Sequence, residues 1–174
     1  TVSGHGTERT IARVISGVTS GTFYISMRSA DTDKYFLMKV YTGSSRAGRL
    51  SNIGFNASGN ITYFNGSTET TLVASYTANT WYRIGVEIDS ANTRYKINVN
   101  NGTWSGWVSY NDVTGTDEVT ELFFEIPSTY SGEAAFDYIS PNYSSSIAYT
   151  LDASVTDYDL TMVNTTLTKA LNLI

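Results

Sequence analysis

Apolar and polar residues alternate with a period of two along most of this chain, from about residue 10 to residue 140. The clearest example is Trp81 to Asp89, where one side of the segment carries Tyr82, Ile84, Val86 and Ile88. Because successive side chains of a β-strand point to opposite faces, this pattern predicts strands with one buried face. Helical periodicity is nearly absent, so no helix is predicted that could connect parallel strands.

Turn residues separate the alternating segments about every 8 to 12 positions, which is typical of a sandwich or barrel. Thr22 to Arg28 has one apolar face, whereas Lys34 to Tyr41 is apolar on both faces and is expected to be a central strand. Asn101-Gly102 is expected to close a hairpin through a type I′ turn. The pattern therefore predicts an all-β fold, an antiparallel sandwich of two sheets.

Composition narrows the functional classes. The 174 residues suit one domain, and the chain has no cysteine, which excludes disulfides, thiolate catalysis and cysteine zinc sites. A net charge of −5 without a basic run argues against nucleic-acid binding. No apolar run approaches the roughly 20 residues needed to span a bilayer. The richness in Thr, Ser, Asn and Gly is common in secreted proteins, so we expect an extracellular, cell-surface or virion location.

Four segments, in this order, resemble the laminin-G-like branch of the concanavalin A-like jelly rolls: Ser29 to Leu37, Gly59 to Tyr63, Asn79 to Ile84 and Tyr95 to Gly102. Ala135 to Ser140 is similar to the closing strand of such domains. The resemblance covers roughly residues 10 to 140 and implies two curved antiparallel sheets of jelly-roll topology. This family includes lectins, glycanases, adhesion modules and virion or filament components, so the resemblance alone leaves the function open.

The alternation weakens after Pro141, and we divide the chain into a sandwich, residues 1–143, and a C-terminal extension, residues 144–174. The extension is faintly similar to Thr-rich repeats of phage structural proteins. It either adds strands to the same sandwich or pairs outside the core. We expect the second, since its apolar residues need a partner and are candidate assembly contacts: Leu160, Met162, Leu167, Leu171, Leu173 and Ile174.

Carboxylates that could catalyse glycoside hydrolysis are incomplete. The glycanases of the family that the chain resembles carry a Glu-x-Asp-x-x-Glu motif on a strand. Glu87-Ile88-Asp89 begins that motif, but its third position is Asn92. Glu121 and Glu125 also share a strand face, which a sheet often displays to water. The single histidine, His5, lies between two glycines near the N-terminus. We therefore predict no enzymatic activity and no catalytic residues.

A metal site is weakly indicated. Asp31 and Asp33 are alternate residues of a loop and could contribute to calcium binding, which laminin-G-like domains sometimes show. Calcium needs six to eight oxygen ligands, and no complete loop motif is present. An ordinary polar turn is the preferred interpretation, and no other cofactor is expected.

Aromatic residues after the Asn101-Gly102 turn are candidates for carbohydrate binding, because a sugar ring stacks on an exposed aromatic face. They are Trp104, Trp107 and Tyr110, with Tyr130 as a further candidate. The preferred interpretation is nevertheless that Trp104 and Trp107 fill the core at a bent strand. Trp81 begins a clear strand and is predicted to be a packing residue.

Six Asn-x-Ser/Thr sequons are present, at Asn56, Asn60, Asn65, Asn101, Asn142 and Asn164. In a secreted protein of a glycosylating organism they would be glycan acceptors on turns. A chain rich in Asn, Ser and Thr also produces such tripeptides by chance, and the sequence does not decide between the two.

Two functional hypotheses follow from these observations. The first is a non-catalytic structural subunit of an extracellular assembly, a virion component or surface filament, that associates with copies of itself or other subunits through its terminal segments. The alternative is a carbohydrate-binding module or lectin that recognises a polysaccharide through exposed aromatic residues.

Overall fold

A computed structural model describes residues 8–43, 46, 48–112, 118–127, 129, 133–139 and 148–152. Its twelve strands are β1 (Glu8–Val18), β2 (Ser20–Ser29), β3 (Phe36–Thr42), β4 (Gly48–Phe55), β5 (Ile61–Phe64), β6 (Glu69–Val73), β7 (Tyr82–Asp89), β8 (Arg94–Val99), β9 (Val108–Ser109), β10 (Val119–Pro127), β11 (Glu133–Ile139) and β12 (Ala148–Asp152). Within these residues, no helix is long and apolar enough to cross a membrane.

The strands form two antiparallel sheets of six strands each. Sheet A has the order β1-β10-β3-β4-β5-β6, and sheet B has the order β12-β11-β2-β7-β8-β9. Consecutive strands form hairpins from β3 to β6, from β7 to β9 and from β11 to β12, whereas the pairs β1–β10, β3–β10, β2–β11 and β2–β7 join strands that are distant in sequence. The predicted antiparallel two-sheet sandwich is confirmed, and β3, with β10 and β4 beside it, is the central strand that its two apolar faces predict.

The inner faces of the two sheets form one apolar core, as the alternation predicts. Phe23, Ile25 and Met27 of β2 are all buried, and β7 buries its even-numbered residues from Tyr82 to Ile88. The rings of Phe124 in sheet A and Phe136 in sheet B stack with their centroids 3.5 Å apart. This contact joins the two sheets directly, so burial of apolar area holds the sandwich together.

Tyr95 of β8 is the largest fully buried side chain, and its polar end has partners inside the core. Its hydroxyl lies 2.7 Å from Ser51 Oγ and 2.5 Å from the carbonyl oxygen of Phe64. Burial raises the pKa of Tyr95, because the phenolate would be poorly solvated there. The hydroxyl therefore stays protonated and links β8 of sheet B to β4 and β5 of sheet A.

The turn after β8 lies one residue earlier than predicted. The residues with positive φ are Asn100 and Asn101, at 52° and 57°, and Gly102 N–H donates to the carbonyl of Val99 over 2.9 Å. The central pair of the type I′ turn is therefore Asn100-Asn101, not Asn101-Gly102. Asparagine tolerates this left-handed conformation better than most residues, which accounts for the difference.

Five residues of the C-terminal extension form part of the protein's own sheet. β12 pairs with β11 along its whole length, from Glu133 opposite Asp152 to Asp137 opposite Ala148. For Ala148–Asp152, the expectation that the extension pairs outside the core is therefore wrong. The six candidate assembly residues of the extension lie outside the described residues.

Candidate functional site

The solvent-facing side of sheet B carries a continuous set of polar and aromatic side chains. These are the residues whose neighbours along each strand point into the core. We call this surface the outer face of sheet B. It consists of Thr22, Tyr24, Ser26 and Arg28 of β2, Arg83, Glu87 and Asp89 of β7, Arg94 and Lys96 of β8, and Glu133 and Asp137 of β11, while Gly85, Asn98 and Ala135 lie on the same side of the sheet but are buried.

The segment after β8 brings two tryptophans to this face. Ser105 N–H donates to the carbonyl of Ile97 over 2.8 Å, and Ser105 Oγ accepts from Ile97 N–H over 3.0 Å, so the segment follows β8 back along the sheet. Val108 and Tyr110 then point into the core. Since alternate residues point oppositely, Trp107 is turned outward, and it is 42% exposed.

Trp104 and Trp107 share one cation. Lys96 Nζ lies 5.3 Å from the ring centroid of Trp104 and 4.8 Å from that of Trp107, and Arg94 Cζ lies 4.5 Å from the Trp107 centroid. These distances are within the range of cation–π attraction. Trp104 is half-buried. The interpretation preferred from the sequence, that these tryptophans fill the core, is wrong for Trp107, and the geometry fits the alternative of a polar, solvent-facing surface better.

Two carboxylates lie beside the tryptophans and are held by the same cations. Glu87 Oε2 is 3.0 Å from Lys96 Nζ, and Asp89 Oδ2 is 2.7 Å from Arg94 Nε. Hydrogen bonds from Asn92, followed by Arg94, lower the pKa of Asp89. The group thus offers charged donors and acceptors at the edge of exposed aromatic rings, an arrangement suited to hydroxyl-rich ligands.

Tyr24 lies at the centre of the outer face of sheet B, against β7. Its ring fits beside Gly85, where an added β-carbon would be 2.9 Å from Tyr24 Cε1. The guanidinium of Arg83 stacks on the same ring, 3.9 Å from its centroid, and also donates to Asn101 Oδ1 over 3.2 Å. The absence of a side chain at Gly85 therefore leaves room for the Tyr24 ring to lie against β7.

Trp81 immediately precedes β7 and is 43% exposed, so the prediction that it is a packing residue is wrong. Arg28 Cζ lies 5.2 Å from the Trp81 ring centroid, and Arg28 also forms an ion pair with Glu133. The signal was present in the sequence, because Tyr82 starts the inward-pointing series and residue 81 must face the other way. The packing prediction followed from the place of Trp81 in a clear strand and did not use this parity.

The other two aromatic candidates do not join the tryptophans. Tyr110 is 4% exposed, and its hydroxyl lies 3.0 Å from Ser90 Oγ within the protein, so it is a core residue and not a sugar contact. Tyr130 lies outside the described residues. Sequence reasoning missed Tyr24, Arg83 and Lys96 as members of the site, although outward parity in β2, β7 and β8 marks all three positions.

The carboxylates considered for catalysis all have cationic partners. Glu121 bonds Arg46 and Glu125 bonds Lys39, with Nζ 2.5 Å from Glu125 Oε2, on the outer face of sheet A. On sheet B, Asn92 at the third motif position donates to Asp89. A general acid of a glycosidase needs a raised pKa, whereas the pKa of Asp89 is lowered. His5 lies outside the described residues.

The loop with the weak calcium candidates is held by hydrogen bonds to its backbone. The carbonyl oxygen of Asp31 accepts from Ser29 Oγ over 2.6 Å and from the Tyr76 hydroxyl over 2.5 Å. Asp33 is exposed and accepts from Lys34 Nζ over 2.8 Å, which lowers the pKa of Asp33. In the part of the chain that the structure describes, no three His, Cys, Asp or Glu residues are grouped to hold a metal ion.

Four of the six sequon asparagines have structural partners. Asn56 Oδ1 accepts from the backbone N–H of Ser58, and Asn65 Oδ1 accepts from that of Thr68. Asn60 Oδ1 accepts from the backbone N–H of Ser75, and Asn101 Oδ1 accepts from Arg83. These bonds explain why asparagine occupies turns, independently of glycosylation. Asn142 and Asn164 lie outside the described residues.

The outer face of sheet A differs in one respect that matters for ligand stacking. Arg46 Cζ lies 4.2 Å from the Phe123 ring centroid, and Tyr41 packs edge-on against the same ring. Phe123 is only 8% exposed, whereas Trp81 and Trp107 each expose about two-fifths of their surface. Sheet B is therefore the face that presents large aromatic rings to solvent.

Comparison with known proteins shows a common fold. No protein-family model matches the sequence, and no curated protein matches it. A solved structure of a sialidase is similar with a TM-score of 0.59 at 14% identity, over 68% of this chain and 10% of the sialidase chain. This chain thus spans about a tenth of that protein.

Smaller proteins are also similar. They include the Caenorhabditis elegans galectin LEC-6, which is 12% identical to this chain. The match covers 67% of this chain and 85% of the galectin chain, with a TM-score of 0.49. Another is the carbohydrate-binding module CBM66 from Bacillus subtilis, which is 10% identical to this chain. The match covers 71% of this chain and 80% of the module, with a TM-score of 0.45. At 14% identity, the likeness to the sialidase shows the fold alone, an antiparallel β-sandwich of two sheets. Nothing found supports a phage-like extension, a virion or filament role, or self-assembly.

Proposed function

We propose that this chain is a non-catalytic carbohydrate-binding domain that acts outside the cell and binds a glycan on the outer face of sheet B. The observation that carries the proposal is the Trp104–Trp107 pair, placed outside the core around one lysine. A sugar has an apolar face of C–H groups and a rim of hydroxyls. Exposed indole rings match the first, and the charged groups beside them match the second.

The four polar groups next to Trp107 supply both kinds of hydrogen-bonding partner. Lys96 and Arg94 donate, while Glu87 and Asp89 accept, and each hydroxyl of a sugar can do both. Because the ion pairs hold these side chains before a ligand arrives, little rotamer entropy is lost on binding. The same pairing supports the proposal of a binding domain without hydrolytic activity.

Binding to a glycan array, followed by affinity electrophoresis through the polysaccharides that respond, tests this proposal. We expect Trp107→Ala to weaken binding about tenfold and to leave the melting temperature within about 2 °C, since the indole is not in the core. Val14→Ala removes an apolar side chain that is 78% exposed on β1 of sheet A and is the matched control. Absence of binding across the array, or equal losses for both variants, would contradict the proposal.

Hydrolysis is checked with the same polysaccharides. Release of reducing ends by the unaltered chain, abolished by Glu87→Gln, would show that the domain is a glycanase. We expect no release, because Glu87 and Asp89 are ion-paired and the third position of the motif, after the end of β7, is Asn92 and not a carboxylate.

A further inference from the structure

The aromatic rings of the outer face of sheet B lie in a row along β7, and each has a cation beside it. Trp81 with Arg28 lies at the start of the strand, Tyr24 with Arg83 lies over its middle, and the Trp104–Trp107 pair with Lys96 lies toward its end. The strand register fixes this order, since Arg83 is opposite Ser26, Gly85 is opposite both Tyr24 and Asn98, and Glu87 is opposite Lys96.

The row is much longer than one sugar. Trp81, immediately before β7, and Glu87 of β7 are six residues apart, which corresponds to about 20 Å at the rise of an extended chain. A terminal monosaccharide at Trp107 would not reach Trp81. An extended chain of several sugars would contact all three aromatic positions, and the near-equal exposure of Trp81 and Trp107 leaves both ends of the row open to it.

The charges on this face are balanced among the residues whose side chains the structure describes. It holds four cations and four carboxylates, namely Arg28, Arg83, Arg94 and Lys96 against Glu87, Asp89, Glu133 and Asp137. Three of the cations are ion-paired to three of the carboxylates. A sulfated or carboxylated polymer needs a net positive surface, so this face is better matched to an uncharged one.

We propose that the outer face of sheet B binds the internal part of a linear, uncharged polysaccharide, with Trp81 as a second stacking position at the far end from Trp104 and Trp107. This inference rests on the proposed glycan-binding function and extends it to a class of ligand. The Tyr24–Arg83 stack forms the middle of the path, with the Tyr24 ring packed against Gly85.

Calorimetric titration with cello-, xylo-, manno- and laminari-oligosaccharides of two, four and six units tests the inference. We expect the six-unit form of at least one series to bind about tenfold more tightly than its two-unit form. Trp81→Ala should remove this gain and leave the two-unit affinity unchanged, whereas Trp107→Ala should weaken both. Half-molar salt should leave these affinities unchanged, because no net charge is neutralised on binding.

The outcomes of this titration distinguish failure of the extended binding path from failure of the proposed glycan-binding function. Equal affinities for short and long oligosaccharides, with no effect of Trp81→Ala but a loss with Trp107→Ala, would overturn the extended path and keep the glycan-binding domain. Binding of none of the series, or binding insensitive to Trp107→Ala, would overturn both. Salt-sensitive binding of heparin in their place would overturn the uncharged class. A sedimentation coefficient changed by Trp81→Ala without a change in affinity would identify a second copy as the occupant.

Discussion

The ring of Tyr24 lies against the backbone of Gly85, so close that a β-carbon at residue 85 would be 2.9 Å from Tyr24 Cε1 and 2.5 Å from Asn98 Oδ1. Both neighbours are side-chain atoms that can shift. We expect Gly85→Ala to lower the free energy of unfolding by about 1 to 2 kcal/mol in urea denaturation. Gly106→Ala is the control, since nothing lies within 4 Å of its added carbon. Equal effects of the two substitutions would contradict this packing.

Gly54 of β4 should tolerate substitution less well. Its φ is +149°, and an added β-carbon would collide with the carbonyl oxygen of Phe36 on the neighbouring strand. Backbone of a central strand cannot move aside as a side chain can. We therefore expect Gly54→Ala to lower the free energy of unfolding by about 3 kcal/mol or more. A cost below that of Gly85→Ala, measured in the same urea series, would show that the two strands are farther apart.

Tyr95→Phe removes a buried hydroxyl and leaves the carbonyl of Phe64 and Ser51 Oγ without that partner. We expect a loss of about 1 to 3 kcal/mol in the free energy of unfolding at pH 7. Because the folded-state pKa of Tyr95 is raised above the unfolded value of 10.0, its contribution is complete below pH 10 and falls as the pH rises further.

Urea midpoints at pH 8, 10 and 11 measure this dependence. The gap between the unaltered chain and Tyr95→Phe should narrow above pH 10, whereas other groups that titrate there affect both chains alike. A gap that stays constant to pH 11 would mean that Tyr95 ionises as freely in the folded chain as in the unfolded one.

Alternation predicted the strands well where one face is buried and regular. Phe23, Ile25 and Met27 specify the inner face of β2, and the same parity places Tyr24 outside. Trp107 and Tyr110 flank the two-residue strand β9, which is too short an alternating segment for the sequence to distinguish the exposed Trp107 from the buried Tyr110. Side-chain hydrogen bonds of Ser105 and the short β9 decide their directions.

Local sequence patterns also could not predict which distant strands pair with each other. β12 pairs with β11 at the edge of sheet B, and nothing in the sequence of Ala148–Asp152 alone specifies that partner. The candidate site depends on the same long-range order. Arg28 reaches Trp81, and Tyr24 reaches Gly85, only because β2 pairs with β7 across more than fifty residues of sequence.

Asp89 is held ionised beside Trp107 by Asn92 and Arg94. Its pKa is lowered from 3.8, so its contribution to stability is present above about pH 4 and is lost as the pH falls through the folded-state pKa. We expect Asn92→Ala to move the pKa of Asp89 back toward 3.8, as followed by the carboxyl ¹³C shift in a pH titration. An unchanged pKa would show that Asn92 does not hold this carboxylate.

The chain has three tryptophans, Trp81, Trp104 and Trp107, so their indole N–H signals report directly on where a glycan binds. Titration of ¹⁵N-labelled protein with a six-unit oligosaccharide that binds is the most direct test of the central claim. We expect the indole signals of Trp104 and Trp107 to shift together with backbone signals of β7 and β8, at one common dissociation constant. Shifts confined to β3, β4 and β10, with all three indole signals unmoved, would place the ligand on sheet A and contradict the account.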